Sequence, residues 1–255
     1  MDLRERREGR ARHPWELARL DALRRIVRDV ALPERARVLD VGCGDGFTGS
    51  NLFADRSIGE RVGMDANFSD EQLAAFGAGQ QAHTGPVTRH VRGFDEIEGQ
   101  QFDVVLLLDV IEHVTDDVGL LRRVCERHMA QGAVALITVP AVQALFSAHD
   151  RFLQHRRRYR HAALLRVARE AGLRPERGGY LFASLLLPRL LGLLWECVRR
   201  SRHADGVGNW RHGPAWTWIV RSALGLDNRV LCALAARGVL LPGLSTWVLC
   251  RPPRS

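Results

Sequence analysis

The sequence contains no lysine. All 37 Lys/Arg positions are arginine, against 29 Asp and Glu, which leaves a formal net charge of +8. A Schiff-base lysine and the lysine of a phosphate-binding P-loop are therefore excluded. Cysteine is sparse: five residues, at 43, 125, 197, 232 and 250, with no CxxC pair and no zinc-finger spacing with histidine. Reduced thiols in a cytoplasmic protein are the expectation. The sequence also lacks a clean apolar run of membrane-spanning length. The greasiest stretch, 180–198, carries Pro188, Arg189 and Glu196, which makes it a poor transmembrane helix but one that could lie on a membrane. The opening MDLRERREGRARH is charged and has no apolar segment, so a secretory signal is not expected. No internal repeat and no low-complexity linker is present.

The arginine excess has two readings. One is genomic base composition. The other is an anionic partner: phosphate, nucleic acid or a membrane surface. With 255 residues, 46% hydrophobic and 26% charged, the chain can bury a core as one large domain or one domain with an elaboration.

Pro14 precedes Trp15, Leu17, Leu20, Leu23, Ile26, Val27 and Val30, a helical stripe that Pro33 ends. Short apolar strands then alternate with helical segments. Strands are expected at Arg37–Val41, Arg61–Asp65, Val87–Val91, Phe102–Asp109 and Ala133–Val139. Helices are expected near Phe47–Ala54, Asp70–Phe76, Asp117–Met129 and Ala162–Ala171. Alternating strands and helices imply a doubly wound α/β sheet. Residues 181–241 are Leu- and Trp-rich and helical in character, with a loop at Ser201–Pro214, before a last strand at Thr246–Cys250. The expected organisation is a tail and helix (1–36), a core (37–180), an apolar helical insertion (181–245) and a final strand and tail (246–255).

The strongest local signal is Val38-Leu39-Asp40-Val41-Gly42-Cys43-Gly44-Asp45-Gly46. A buried strand runs into three alternate glycines and then a helix, which permits a tight turn and close approach of a ligand to the backbone. A dinucleotide fingerprint would need a third glycine at position 47, where Phe47 stands, so a nicotinamide or flavin dinucleotide is disfavoured. Asp65, followed by Ala66, ends the second strand about 20 residues on, where an acid accepts ribose hydroxyls.

This composite resembles class I S-adenosylmethionine (SAM) methyltransferases. The resemblance implies a Rossmann-like seven-stranded sheet, SAM as cofactor and a glycine loop receiving its aminocarboxypropyl arm. It places Asp40, Gly42, Cys43, Gly44, Gly46, Asp65, Ala66, Leu108, Asp109 and Val110 at the cofactor. The fourth strand, with Asp109-Val110-Ile111-Glu112-His113, is similar to that of ubiquinone-pathway O-methyltransferases. Some of those carry Glu-x-x-Glu-His linked to a divalent metal. Here Glu112 and His113 are expected to cap the turn, with no metal.

Beyond the fifth strand, His149-Asp150 and His155-Arg156-Arg157-Arg158-Tyr159 resemble a segment of a methyltransferase subgroup. That subgroup also starts with His-Pro-Trp-Glu, here His13-Pro14-Trp15-Glu16. His149 or His155, oriented by Asp150, is the expected general base for a hydroxyl acceptor. Trp15, His113, Arg158 and Tyr159 are expected at the acceptor. Arg156 and Arg157 are expected on a solvated face. His149 and Asp150 have a second reading, as a pair that pins the loop.

The expected activity is O-methylation of a small-molecule, glycan or lipid-linked acceptor. The alternatives are quinone-precursor methylation and a SAM-binding protein without turnover. The insertion reads either as a plain helical cap or as a basic, apolar surface for anionic lipid, formed by Leu185–Leu194 with Arg189, Arg199, Arg200 and Arg202. A nucleic-acid substrate is disfavoured, because no Asn-Pro-Pro-Tyr or Pro-Cys motif follows the fourth strand. The expected location is cytoplasmic, with membrane association left open.

Overall fold

The computed structural model describes residues 12–79, 87–199, 210 and 212–253. The basic tail 1–11, most of the loop 201–214, and Arg200 and Arg202 lie outside the described residues. The side chain of Arg199 does as well.

Helix α1 (Pro14–Val27) starts at a reciprocal cap. The His13 ring accepts from the Trp15 N–H, and Glu16 reaches back to the His13 N–H. The remaining elements alternate: β1 (Ala36–Val41), α2 (Phe47–Leu52), β2 (Ile58–Met64), α3 (Asp70–Gly79), β3 (Val87–Val91), β4 (Phe102–Leu108), α4 (Asp117–Arg123), β5 (Met129–Pro140), α5 (Ala148–Phe152), α6 (His161–Glu170), β6 (Arg174–Leu181), α7 (Leu186–Arg199), α8 (Pro214–Ala235) and β7 (Ser245–Arg251).

The seven strands form one sheet in the order β3-β2-β1-β4-β5-β7-β6. The first five are parallel, and β7 runs antiparallel to both β5 and β6. Both faces are covered, so β1, β4 and β5 are near-continuous apolar runs. Leu39, Val105, Leu107 and Ile137 fill one core; Val38, Val104, Leu106 and Leu136 fill the other, against α1 and α8. The chain reverses winding direction between β1 and β4. Their carboxyl ends therefore open a crevice at the switch point.

Three differences from the sequence reading have local causes. The helix expected over Asp117–Met129 stops at Arg123. A wide π turn (Val124–His128) follows, and the chain is already extended at Met129. Strand β6 was not expected; its Arg174-Pro175-Glu176-Arg177-Gly178-Gly179 carries a proline and two glycines. As the edge strand it pairs only with β7, a position that tolerates proline. Its glycine also has a packing reason: a Cβ on Gly178 would lie 2.5 Å from Cε1 of His161. The third is α5, a single short helix inside the histidine-rich segment after β5.

Among the described residues, no helix is long and apolar enough to cross a membrane.

Candidate active site

Among the described residues, three of the five non-glycine residues with left-handed backbone follow strands at one edge of the sheet. Asp109 (φ 59°) follows β4, Val142 (φ 64°) follows β5 and Phe182 (φ 63°) follows β6. Such strain persists where surrounding structure over-determines it, and it concentrates at functional edges.

On the β1–β2 side the loop is built from backbone. Gly42, Gly44 and Gly46 all have positive φ, at 66°, 56° and 71°. The Gly42 and Cys43 N–H groups donate to the Met64 carbonyl at 2.7 and 3.1 Å, tying the loop to the end of β2. A Cβ on Gly42 would meet Cγ2 of Val110 at 2.7 Å. Only glycine lets the loop approach the β4 turn this closely. Asp65 accepts from Gly44 N at 3.0 Å on one oxygen and from Asn67 on the other. Asn67 fills its oxygen twice, through its N–H and its Nδ2 at 3.1 Å, so the lone pair that can accept a hydroxyl is on the oxygen bonded by Gly44. Asp40 lies beneath the loop, almost fully buried. Burial pushes its carboxyl up to about 7, although the charge of Arg61 pulls it back. Cys43 is also buried, and burial pushes its thiol far up, so its side chain is inert packing.

Helix α1 and the residue before its cap supply two arginines that the sequence reading did not single out. Arg12 pairs with Asp45 of the loop at 2.5 Å and lies 4.0 Å from the centre of the Phe47 ring. Arg19 pairs with Asp109 at 2.7 Å and donates to Thr138 at 2.7 Å. Asp109 is thus tied to Arg19 and Thr138. Leu108 and Val110 are partly exposed beside it, and Ala66 is exposed after Asp65. Trp15 packs against Phe182 with ring centres 5.6 Å apart, half-buried in the second core.

On the β5 side the site is built from side chains. Asp150 is completely buried. One of its oxygens accepts from His155 Nδ1 at 2.9 Å and from Arg158 Nε at 2.8 Å. The other accepts from Arg158 Nη2 at 3.0 Å and from the Ser147 N–H and hydroxyl at 2.9 and 3.1 Å. Burial alone would raise this carboxyl. The hydrogen bonds from His155 and Arg158 outweigh it and hold Asp150 well below the ordinary range. Arg189 of α7 approaches the same group, 4.0 Å from Asp150 and hydrogen-bonded to Ser147. His149 is partly buried, which lowers its pKa, and the positive charge of Arg189 lowers it further.

Three residues of this segment are turned into the fold. Arg158 turns its fork inward to Asp150 and the Ala141 carbonyl, because a buried carboxylate needs a bidentate partner. Tyr159 is buried, and its hydroxyl donates to Asp117 at 2.6 Å. It holds the α4 turn from inside the core. Arg157 reaches the same Asp117 at 3.1 Å and the Val114 and Thr115 carbonyls, so it is not part of a solvated face.

The β4 turn meets this network. The rings of His113 and His155 are in edge contact, with centres 4.8 Å apart. Glu112 is completely buried, and neither carboxylate oxygen has a partner. Burial and the nearby Asp109 charge push it well above the carboxylate range. Ligand atoms of Glu112, His113 and His155 lie within 4.8 Å of one another.

The crevice is that of a class I methyltransferase: a glycine loop after β1, an acid after β2 and a titratable cluster beyond β4 and β5. Comparison with known proteins agrees. A family described as "Methyltransferase domain" matches residues 10–223, and the chain belongs to it. The class expected from the sequence, a SAM-dependent methyltransferase, follows from that membership.

Among curated relatives, the ubiquinone biosynthesis O-methyltransferase of Roseobacter denitrificans is 35% identical over 97 residues. The match covers 37% of this chain and 38% of that protein, so it spans well under half of the relative's length. Among solved structures, the [4+2]-cyclase SpnF superposes with a TM-score of 0.58 at 18% identity, over 98% of this chain and 86% of that one. A SAM-dependent methyltransferase from Archaeoglobus fulgidus gives 0.51 at 16%, over 91% and 93%. These two likenesses concern the fold alone, and fold does not decide chemistry.

Proposed function

We propose that this chain is a SAM-dependent O-methyltransferase whose acceptor enters beside α5, with His155 as general base. The observation that carries the reading is the Asp150–His155 pair. Asp150 is ionised and can only accept, so the hydrogen on His155 lies on Nδ1. Nε2 is left to take a proton, which is the triad logic of an oriented imidazole.

The loop residues Gly42, Gly44 and Gly46, with Asp65 for the ribose, fit S-adenosylmethionine. When bound, it supplies an electrophilic sulfonium methyl group. The chain's own residues bind, orient and move one proton. His155 takes the hydroxyl proton at Nε2 as the acceptor oxygen gains the methyl, and Asp150 balances the imidazolium that results. Arg158 and Ser147 act through Asp150 as positioning residues.

The acceptor is a small molecule with an acidic or activatable hydroxyl. The partial relationship to ubiquinone-pathway enzymes supports a phenolic quinone precursor. A glycan or lipid-linked hydroxyl presents the same oxygen to the same base.

A second reading is favoured by Glu112. A buried carboxylate with two unpartnered oxygens beside His113 and His155 could hold a divalent cation, and His155 would then be a ligand instead of a base.

One experiment separates these. Methyl-labelled SAM is supplied to the protein with extracted metabolites and lipids, and labelled products are read by mass spectrometry. Labelled product that survives a chelator and falls roughly 10²–10⁴-fold in His155→Ala, with cofactor affinity unchanged by calorimetry, is the expected result. Loss with chelator and rescue by Mg²⁺ would establish the cation reading. SAM binding without any labelled product would leave a binding protein without turnover.

A further inference from the structure

Helix α8 carries two adjacent exposed stripes. Trp218, Ser222, Gly225 and Arg229, spaced by three and four, line a groove of about 480 Å³ between α8 and α1. Arg24 and Arg25 line it from α1. One carboxylate, Asp21, is in the lining, and Arg221 already holds it through two hydrogen bonds of 2.8 and 2.9 Å. Arg24 donates twice to the Asn51 carbonyl, which leaves its charge uncompensated. Among the described residues, no carboxylate pairs with Arg25 or Arg229, and both are exposed.

The groove also has features that helix packing does not require. Gly225 sits inside a 22-residue helix, where glycine costs about 1 kcal/mol relative to alanine. A Cβ there would meet nothing within 4 Å, so glycine keeps space open at the groove. Asn228, 2% exposed, also lines it. Its carbonyl oxygen accepts from Phe182 N at 2.9 Å, but its amide nitrogen has no partner.

The second stripe is Trp216, Ile219, Ala223, Leu226 and Val230, also spaced by three and four. Its large members are 59%, 47%, 62% and 49% exposed. Trp218, at 69% exposed, stands in the first stripe beside the cationic groove. An apolar stripe, a bordering tryptophan and a cationic groove on one helix match an element lying in the plane of a lipid interface.

We propose that α8 docks this protein on an anionic phospholipid surface, with a headgroup phosphate seated between Arg25 and Arg229. The apolar stripe enters the acyl boundary while Arg24 adds charge behind the phosphate. Charge decides between a membrane and a second copy of the chain. A two-fold contact through this face would bring the same unpaired arginines together, whereas an anionic bilayer neutralises them. The proposal is independent of methyl transfer, so it stands or falls apart from the catalytic reading.

The test is sedimentation of the full chain with phosphatidylcholine vesicles, alone or mixed with phosphatidylglycerol. Binding only to the mixed vesicles, weakened by salt, is expected. Arg25→Gln and Arg229→Gln should each reduce it roughly fivefold. Trp216→Ser with Leu226→Ser should weaken binding and leave its salt dependence intact. Unchanged SAM affinity confirms that each variant is folded. Equal binding to both vesicle types, or full binding by the arginine variants, would overturn the proposal. So would a concentration-dependent dimer that α8 variants abolish. Glycerol phosphate that binds the groove in calorimetry while vesicles do not would assign it to a soluble phosphate instead.

Discussion

Each half of the crevice contains a deeply buried aspartate, and the two are pushed in opposite directions. Asp40, under the glycine loop, is pushed up to about 7. Asp150, beyond β5, is held well below the usual carboxylate range. Both are at least 97% buried, so burial does not explain the difference; partners do. Asp150 collects donors from His155, Arg158 and Ser147. Asp40 faces Gly49, where an added Cβ would lie 2.2 Å from its Oδ2, with Arg61 as the nearby counter-charge. The cofactor half thus uses backbone shape around an acid that protonates near neutrality. The acceptor half uses fixed charge to orient an imidazole. A site that must move a proton needs the second design.

The contrast breaks most sharply at Asp150. Asp150→Ala leaves Arg158 buried without its carboxylate and frees the His155 ring. Loss of such a pair should cost about 3–5 kcal/mol of stability, measured by urea denaturation. SAM affinity of the folded fraction should not change, because the glycine loop touches none of these groups. A cost under about 1 kcal/mol would show that Arg158 finds water instead, and that the network is not the rigid base support argued above.

Asp40 gives the opposite pH signature. Its folded pKa, about 7, is above the ordinary aspartate value of 3.8. Below pH ~4 both folded and unfolded states are protonated, and the full contribution is present. As pH rises toward 7 the unfolded chain releases this proton first, so stability falls, by no more than about 1.4 kcal/mol per pH unit. Asp40→Asn lacks that titration. Its stability relative to wild type should therefore rise between pH 4 and 7 and level off above. A difference that does not vary with pH would mean Asp40 is ionised throughout, held by Arg61.

The cofactor half was legible from the sequence because it depends on backbone. Three glycines at fixed spacing and an acid at a strand end leave a local trace. Gly42→Val should remove SAM binding, since its side chain meets Val110 at a backbone angle that favours glycine. Asp65→Ala should weaken binding by about 1–3 kcal/mol. Calorimetry of both variants checks this, and a Gly42→Val protein with native affinity would refute the cradle. The acceptor half was legible only in outline. His149, Asp150 and His155 stood out by residue type, but the choice of His155 as Asp150's partner depends on α5, which turns the chain between them. Arg12 and Arg19 at the start of α1 and Arg189 of α7 reach the crevice from outside the strand ends, and Glu112 stood out only as a turn cap. Strand β6 was missed for a related reason: its proline and glycines are permitted only because it lies at the sheet edge beside His161.

The run Arg156-Arg157-Arg158 gives the finest form of the comparison. One charge pattern in the sequence becomes three environments. Arg158 is inside the Asp150 network. Arg157 is one-third exposed and joins Asp117, which Tyr159 also holds, to the carbonyls of the β4–α4 turn. Arg156 is exposed, and its side chain makes one bond, from Nε to the His113 carbonyl at 2.9 Å. Arg157→Ala should therefore cost about 1 kcal/mol, since Tyr159 still satisfies Asp117 after the arginine is gone. Arg156→Ala should stay within about 0.5 kcal/mol, as for an exposed contact that water replaces. Urea denaturation of the two variants is the measurement. If Arg156→Ala costs as much as Arg157→Ala, the His113 carbonyl contact is holding the β4 turn in place. Arg156 would then belong with the acceptor half's positioning charges, and a matching drop in turnover would follow from a displaced His113–His155 contact.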